Sequence, residues 1–205
     1  MSKLHNRLVH QRRVRVLVDH IDSMLEGPAR VLDVGSGDGR VGALQAEKRP
    51  DLQIEGLDTL PRASAAIPTM GYDGRSIPFP DRAFDFVLLI DVLHHAESIE
   101  DLVAEALRVA PGGLIIKDHT PSNALDFSML RAMDWVGNRS YGVALPYAYL
   151  RRAEWDDLFA RHDLRVDAIR TQLRLYPRPL TWIFDRSLHF VARVVPGSRP
   201  DAGQR

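Results

Sequence analysis

The chain has 205 residues, of which 45% are hydrophobic, enough for one well-formed core and too few for two ordinary domains. Its 27 basic and 27 acidic residues balance, so no overall electric field attracts it to nucleic acid or to anionic lipid. It contains no cysteine, which excludes disulfides, thiolate catalysis and cysteine-ligated zinc. The longest apolar run, residues 86–90, is far too short to cross a bilayer, and the N-terminus lacks the apolar segment of a signal peptide. We therefore expect a cytoplasmic protein without stable membrane insertion.

Residues 3–25 predict an amphipathic helix, because apolar side chains recur at helical spacing and a Gly-Pro pair follows. The first half of this helix is basic, with Lys3, His5, Arg7, His10, Arg12, Arg13 and Arg15. Such a segment is either a solvated face or an anion-binding or lid segment, and charge runs more often serve only solubility.

Residues 31–40, Val-Leu-Asp-Val-Gly-Ser-Gly-Asp-Gly-Arg, predict a buried strand that passes through a tight turn into a helix. The alternating glycines allow positive φ and let a ligand approach the backbone. Arg40 stands where a dinucleotide-binding turn has its third glycine, and no Gly-Lys-Ser/Thr follows, as a phosphate-binding P-loop would require. Asp33, within the strand, suits an amine or a cationic group and would repel a pyrophosphate. These features argue against NAD and ATP as ligands.

The segment 33–39, Asp-Val-Gly-Ser-Gly-Asp-Gly, resembles the first motif of the class I S-adenosylmethionine-dependent methyltransferases, of the small-molecule, type 11-like kind. The resemblance covers residues 28–120 and implies an α/β, Rossmann-like three-layer sandwich. Its sheet would have seven mostly parallel strands in the order 3-2-1-4-5-7-6, with the last strand antiparallel. The resemblance also implies S-adenosylmethionine as the cofactor. The residues then expected to hold its methionine end are Asp33, Gly35, Ser36, Gly37, Asp38 and Gly39.

Residues 52–57 predict a second strand, which ends at Asp58, nineteen residues beyond Gly39. An acid at the tip of the second strand accepts two charge-assisted hydrogen bonds from a ribose diol. The alternative is that Asp58 caps the segment 61–63, but its spacing from the glycine turn favours ribose binding, with Thr59 beside it.

A third, weak strand over residues 67–72 leads to Asp73 and Gly74. This pair resembles the adenine-side loop of the same family, in which the acid accepts a hydrogen bond from the adenine amino group and the next backbone unit touches the ring. An Asp-Gly pair is also an ordinary turn signal, and only the flanking Ile-Pro-Phe-Pro and Phe-Asp favour adenine binding.

Residues 84–90 predict a central parallel strand, followed by residues 91–95, Asp-Val-Leu-His-His, which resemble the family's fourth motif. Ligands collect at the carboxyl ends of such strands, so Ile90 and Asp91 are expected to face the cofactor. A fifth strand over residues 114–116 ends at Lys-Asp-His. The candidate general bases are His94, His95 and His119.

A base is needed only if the methyl acceptor starts out protonated. The alternatives are that the histidines cap a helix or line the pocket wall, and that proximity alone drives transfer. Adjacent histidines on an extended segment point to opposite faces, so we predict no metal site.

Further along, the sequence predicts helices after Ser98 and over residues 151–161, and strands over 164–171 and 188–195. Residues 120–150 lack periodicity and predict a long functional loop over the carboxyl edge, as do residues 173–186. The acceptor-pocket candidates in these stretches are Trp135, Asn138, Tyr147, Tyr176 and Trp182. For the aromatic residues, the alternative is a satellite core under the loops.

We expect a single methyltransferase domain over residues 1–195, followed by a flexible tail over residues 196–205. The domain comprises an N-terminal helix (1–27), a cofactor-binding core (28–120) and substrate-side loops with the sixth strand (121–186).

The predicted function is in-line methyl transfer from S-adenosylmethionine to a small or medium organic acceptor, which gives S-adenosylhomocysteine. The alternatives are an RNA or protein methyltransferase and a non-catalytic module that binds S-adenosylmethionine. The Asn-Pro-Pro-Tyr-type tetrapeptide of amino-directed nucleic-acid methylases is replaced by Asp-Val-Leu-His at residues 91–94, so no nucleic-acid partner is expected.

Overall fold

The computed structural model describes residues 3–138, 147–177 and 188–197, and for residues 3–10, 137 and 138 it describes the backbone alone. Within these ranges, seven strands are present: β1 Ala29–Val34, β2 Leu52–Asp58, β3 Thr69–Gly71, β4 Phe86–Ile90, β5 Leu114–His119, β6 Leu164–Arg170 and β7 His189–Pro196. The helices of the described residues are α1 Lys3–Asp22, α2 Arg40–Lys48, α3 Ile99–Val109, α4 Ala124–Asn138 and α5 Arg152–Arg161, and Leu93–His95 form a 3₁₀ turn.

All seven strands form one sheet in the order β3-β2-β1-β4-β5-β7-β6. The first five strands pair in parallel, and β7 runs antiparallel to both β5 and β6. The predicted architecture, strand order and antiparallel last strand are therefore confirmed. The carboxyl ends of β1, β2, β4 and β5 meet at one edge, where Asp58, Asp91 and His119 lie.

Helices cover both faces of the sheet, because successive strand residues point to opposite sides. On one face, Leu32 and Val34 of β1 pack with apolar residues of α3 and α5, such as Val103 and Trp155. On the other face, Val31 packs with apolar residues of α1 and α2. The central strands are buried from both sides, as their near-continuous apolar sequences predicted.

The prediction of a structureless stretch over residues 120–150 is wrong for residues 124–138, which form α4. The helix begins with a polar cap in which the backbone NH of Asp126 donates to Asn123 Oδ1 at 3.0 Å and Asn123 Nδ2 donates to Asp126 Oδ2 at 3.0 Å. Asp126 is buried, whereas Leu125 and Trp135 are more than half exposed. Leu130 is buried as well, so the inward side of α4 mixes carboxylates with apolar residues while part of its outward side is apolar, and this weakens the amphipathic signal of the helix.

The remaining elements lie within a few residues of their predicted bounds. Ser98 caps α3 as expected, since the backbone NH of Asp101 donates to Ser98 Oγ at 3.2 Å. Among the described residues, no helix is long and apolar enough to span a bilayer. Trp182 and residues 198–205 of the predicted tail lie outside the described residues.

Candidate functional site

The glycine turn after β1 is built on three left-handed backbone positions. Gly35, Gly37 and Gly39 have φ values of 72°, 59° and 70°. The first glycine is also constrained sterically, because a Cβ on Gly35 would lie 2.6 Å from Val92 Cγ2. The turn is tied to the end of β2, since the NH of Gly35 donates to the carbonyl of Leu57 at 2.7 Å. The sequence uses glycine here because the turn requires positive φ and close packing.

Asp58 supports the glycine turn with its side chain. Its Oδ2 accepts a hydrogen bond from the NH of Gly37 at 2.7 Å, and its Oδ1 accepts one from the NH of Leu60 at 2.8 Å. A carboxylate offers about four lone-pair sites, so two of them are used here. The other two can accept hydrogen bonds from a neighbouring diol.

Asp33 is the penultimate residue of β1 and is buried, with 2% of its surface exposed. A Cβ on Gly42 of α2 would lie 3.5 Å from Asp33 Oδ2, so the carboxyl group lies against that helix. Burial, followed by repulsion from Asp58 and Asp38, raises the pKa of Asp33 to about 7. The group is therefore poised to lose a proton when a cation approaches.

Asp73 and Gly74 lie beside the end of β2. Asp73 Oδ1 accepts hydrogen bonds from the NH groups of Arg75 and Ser76 at 2.8 and 2.9 Å, which lower the pKa of Asp73. Gly74 has a φ of 82° and lies against Thr59, whose Cγ2 would be 3.2 Å from a Cβ at Gly74.

Backbone contacts place the predicted acids near the end of β2. Asp33 on β1 pairs with Gly56 on β2, two residues before Asp58, and the NH of Tyr72, the residue before Asp73, donates to the carbonyl of Asp58 at 3.2 Å. Burial and then the charges of Asp58 and Asp73 raise the pKa of Tyr72 to about 12. The acids at positions 33, 58 and 73 therefore lie in one region of this edge.

A second polar group lies at the ends of β4 and β5. Asp91, with a φ of 54°, forms an ion pair with Lys117, a lysine that is 1% exposed. Burial raises the pKa of Asp91, but attraction to Lys117 outweighs it, so this pKa lies below its usual value. Because Lys117 already occupies the carboxylate of Asp91, Asp91 is a poor candidate for the general base.

Asp118 connects two of the predicted histidines. Its Oδ1 lies 2.6 Å from His94 Nδ1 and 3.2 Å from His119 Nδ1, and it also accepts a hydrogen bond from the NH of His119 at 2.7 Å. Burial opposes ionisation of Asp118, but attraction to His94 holds its pKa well below the usual range. Asp118 is thus an ionised, buried acceptor for both rings.

The two histidines differ in basicity. Burial alone would lower the pKa of His94, but the charge of Asp118 and contacts with Asp118 and Asp134 raise it to about 10. Burial and then Lys117 lower the pKa of His119. At neutral pH His94 therefore carries a proton on each ring nitrogen, while His119 is neutral and can accept one.

Four of these residues have the spacing of possible metal ligands. One ligand atom each from Asp91, His94, Asp118 and His119 lies within 4.8 Å of all the others, and the same holds for His94, His95 and Asp134. Lys117 pairs with Asp91, and His94 shares a proton with Asp118, so these atoms are engaged in hydrogen bonds and ion pairs. We assign the cluster to a proton network.

The acceptor-pocket candidates are placed less uniformly. The ring centroid of Tyr147 lies 6.3 Å from that of Tyr149 and 4.6 Å from the guanidinium carbon of Arg131. Tyr176 is buried, with its ring centroid 6.5 Å from that of His189. Trp135 lies on the exposed side of α4, Asn138 ends that helix with only its backbone described, and Trp182 lies outside the described residues.

Sequence reasoning missed three residues of this network. His189 on β7 pairs opposite His119 on β5, and Lys117 Nζ lies 3.4 Å from His189 Nδ1. Asp134 on α4 lies 3.7 Å from His94 Nε2 and 3.6 Å from His95 Nε2. Only the Lys-Asp-His run at the end of β5 gave a local signal, because the other two residues arrive from distant segments.

Comparison with known proteins settles the family. A family model described as a methyltransferase domain matches residues 8–169. The chain belongs to this family. The expected class I S-adenosylmethionine-dependent methyltransferase relationship is thereby confirmed, and with it S-adenosylmethionine as the cofactor.

Among curated relatives, ajmaline N-methyltransferase of Rauvolfia serpentina is 32% identical over 107 residues, which are 45% of this chain and 36% of that protein. Demethylmenaquinone methyltransferase of Thermus thermophilus is 28% identical over 150 residues, 63% of this chain and 68% of that protein. These alignments thus span between about a third and about two thirds of the relatives' length. The solved structure of a methyltransferase from Thermotoga maritima shares the fold, with a TM-score of 0.64, 18% identity and 91% of each chain covered.

Proposed function

We propose that this protein transfers the methyl group of S-adenosylmethionine to a small or medium organic acceptor that carries an O–H or N–H group, giving S-adenosylhomocysteine. The observation that carries the proposal is the joining of two half-sites at one edge of the sheet. The glycine turn with Asp33, Asp58 and Asp73 forms one half, and the Asp118–His119 pair forms the other.

The first half-site fits the parts of the cofactor. Asp58 retains acceptor capacity for the ribose diol, with Thr59 beside it, and Asp73 with Gly74 suits the amino group and ring of adenine. Asp33 suits the cationic methionine end. The other residues of this proposed binding surface are Gly35, Ser36, Gly37, Asp38, Gly39, Ile90 and Asp91.

The second half-site supplies a proton acceptor. S-adenosylmethionine supplies a methyl group on a positively charged sulfur, so the methyl–sulfur bond breaks and its electron pair stays on sulfur. The acceptor atom forms the new bond to the methyl carbon, and its proton passes to His119 Nε2. Asp118 accepts from His119 Nδ1, which fixes the tautomer whose Nε2 is free of hydrogen. His94, already protonated at neutral pH, is the weaker candidate for this step, and His95 faces Asp134.

The acceptor side is assigned to the aromatic and polar residues near the histidine network. Tyr147 and Tyr176 border the histidine network, and Trp135, Asn138 and Trp182 belong to the segments that follow β5 and precede β7. The similarity to methyltransferases named for ajmaline and demethylmenaquinone supports a small organic acceptor. We further propose one domain over residues 1–195 and a cytoplasmic location, with no nucleic-acid partner.

Calorimetric titration with S-adenosylhomocysteine tests the cofactor site. Asp58→Asn keeps the size of the side chain and removes its charge, so we expect the dissociation constant to rise about 10- to 100-fold, because charge-assisted hydrogen bonds contribute about 1.5–3 kcal/mol each. Glu47→Gln, which removes an exposed carboxylate from α2, is the matched control and should bind like the wild type. Equal affinity of Asp58→Asn and wild type would contradict the assignment.

A labelling experiment separates the three candidate functions. The protein is incubated with S-adenosylmethionine carrying an isotopic methyl group and with cell extract, and products are analysed by mass spectrometry. Label in a small molecule supports the proposal. Loss of that labelling with the His119→Gln variant supports His119 as the general base. Label in RNA or protein contradicts the acceptor class. Bound cofactor that never loses its methyl group indicates a binding module.

A further inference from the structure

His94 lies between two carboxylates that come from different elements. Its Nδ1 is 2.6 Å from Asp118 Oδ1 on β5, and its Nε2 is 3.7 Å from Asp134 Oδ2 on α4. The first distance is a short hydrogen bond and the second is an ion-pair contact. The buried Nε2 of His94 forms no hydrogen bond within the described part of the chain, so its contact with Asp134 is electrostatic. Two carboxylates that face a ring only 2% exposed favour the positively charged form of His94.

Asp134 itself is held in place by neighbours. Tyr149 donates its hydroxyl hydrogen to Asp134 Oδ2 at 2.9 Å, and His95 Nε2 lies 3.6 Å from Asp134 Oδ1. The side chain of Asp134 is 10% exposed, so solvent screens these contacts little. Asp134 is thus the point at which α4 contacts the segment that follows β4.

The groups around His94 come from every element packed against it. The charged groups are Asp118 from β5, Asp134 from α4, and Asp91 from the end of β4, whose charge is matched by Lys117. The neighbouring rings are His95, His119 and Tyr149, with centroids 4.1, 4.9 and 5.2 Å from that of His94. Since Asp91 is paired with Lys117, His94 provides the positive charge that faces Asp118 and Asp134.

The position of Asp118 depends on this bridge. The same oxygen, Oδ1, receives His94 Nδ1 and both nitrogen contacts of His119. The short hydrogen bond from His94 Nδ1 holds Asp118, the charge of Asp134 attracts the other side of the ring, and Asp118 in turn orients the His119 ring.

We propose that Asp134 is a positioning residue: it holds His94 as an imidazolium between itself and Asp118, and so fixes the Asp118–His119 pair that receives the acceptor proton. The catalytic consequence rests on the proposed function, whereas the charge of His94 is a property of the protein alone. The contacts described above for Asp134 are with His94, His95 and Tyr149, which lie outside the glycine turn, so we expect cofactor binding to change little when Asp134 is altered.

The test is a nuclear magnetic resonance titration of protein labelled with ¹⁵N in its histidine rings, from about pH 5 to about pH 10.5. His94→Gln identifies the His94 signals among the 8 histidines. In the wild type, both ring nitrogens of His94 should stay protonated through about pH 8. In Asp134→Asn the midpoint should fall by at least one pH unit, a tenfold loss of proton affinity. Asp134→Glu should restore most of the shift, and Tyr149→Phe, which keeps the carboxylate, should retain it.

Further measurements separate positioning from mere folding. In Asp134→Asn the affinity for S-adenosylhomocysteine should stay within about twofold of the wild type, while labelled methyl transfer falls and its alkaline limit moves to lower pH by the same amount as the His94 midpoint. A wild-type His94 that titrates near its ordinary value, or an unchanged midpoint in Asp134→Asn, overturns the proposal. The wild-type and Asp134→Glu titrations decide the matter if Asp134→Asn does not fold. Absence of methyl transfer together with the expected titrations would instead refute the proposed function.

Discussion

At the scale of single residues, Asp33 is the clearest case of a group that opposes folding. Its pKa is about 7 in the folded protein and near 3.8 in an unfolded chain. The folded state therefore holds a proton that the unfolded state releases, so stability present at low pH is lost as the pH rises from about 4 to about 7. A carboxylate that weakens the fold in this way fits a group retained for binding a cation.

Asp33→Asn should remove this pH dependence. Between pH 5 and pH 8, the free energy of unfolding of the variant should rise relative to the wild type by roughly 3 kcal/mol, at about 1.4 kcal/mol for each pKa unit. Urea unfolding at both pH values measures the difference, and Asp157→Asn, at an exposed position, is the control that should show no such change. A variant equally less stable than the wild type at both pH values would show that the carboxyl group is not buried as an acid. The affinity of Asp33→Asn for S-adenosylhomocysteine is expected to be lower than that of the wild type.

At the scale of elements, the glycine turn after β1 packs against the segment that follows β4 through the contact between Gly35 and Val92. Gly35 and Gly37 both have positive φ, but an added Cβ meets Val92 only at Gly35, while nothing lies within 4 Å of one at Gly37. The turn after β1 and the segment after β4 are therefore interlocked at the first glycine alone.

We predict different costs for alanine at these two glycines. Gly37→Ala should lower the free energy of unfolding by about 1–2 kcal/mol, the cost of a left-handed residue with a Cβ. Gly35→Ala should cost about 2–5 kcal/mol, because overpacking against Val92 is added. In a double-mutant cycle, Val92→Ala should recover about 1 kcal/mol or more beyond additivity in the Gly35→Ala background, and none with Gly37→Ala. Strict additivity in both cycles would rule out the steric interlock.

Helix α4 contributes a carboxylate to the histidine network, and the same inward acids make the helix hard to predict from its sequence. Asp126 and Asp134 point inward, and Leu125, Trp135 and Val136 are exposed. Asp126 completes the helix cap and Asp134 faces His94 and His95. These polar contacts lie beside the buried Leu130, so the inward side of α4 is less uniformly apolar than in most helices of this length.

At the scale of the whole molecule, the balanced charge bears on the choice between acceptors. A nucleic-acid methyltransferase of this composition would have to bind through the basic half of α1. We predict that any retention of labelled RNA is weak and changes less than about twofold in Arg12→Glu with Arg15→Glu, two exposed positions. A steep loss of RNA binding between about 50 and about 200 mM salt, abolished by the double charge reversal, would favour an RNA substrate.

The sequence by itself determined the fold and the family. Two local patterns were enough: apolar strands that alternate with helices, and a glycine turn followed at regular intervals by acids. They specified β1 to β5 and the region of Asp58 and Asp73, because each of these strands carries its site residue near its own carboxyl end. What needed the tertiary structure was the proton network. Asp118 and His119 are adjacent in sequence, but Asp134 comes from a helix whose inward side mixes acids with apolar residues. His189 comes from an antiparallel strand some seventy residues away, as an ordinary cross-strand pair of His119. Their contacts decide which histidine is charged, because the pKa of a buried ring depends on every carboxylate that faces it, and that set is fixed only when distant segments pack together.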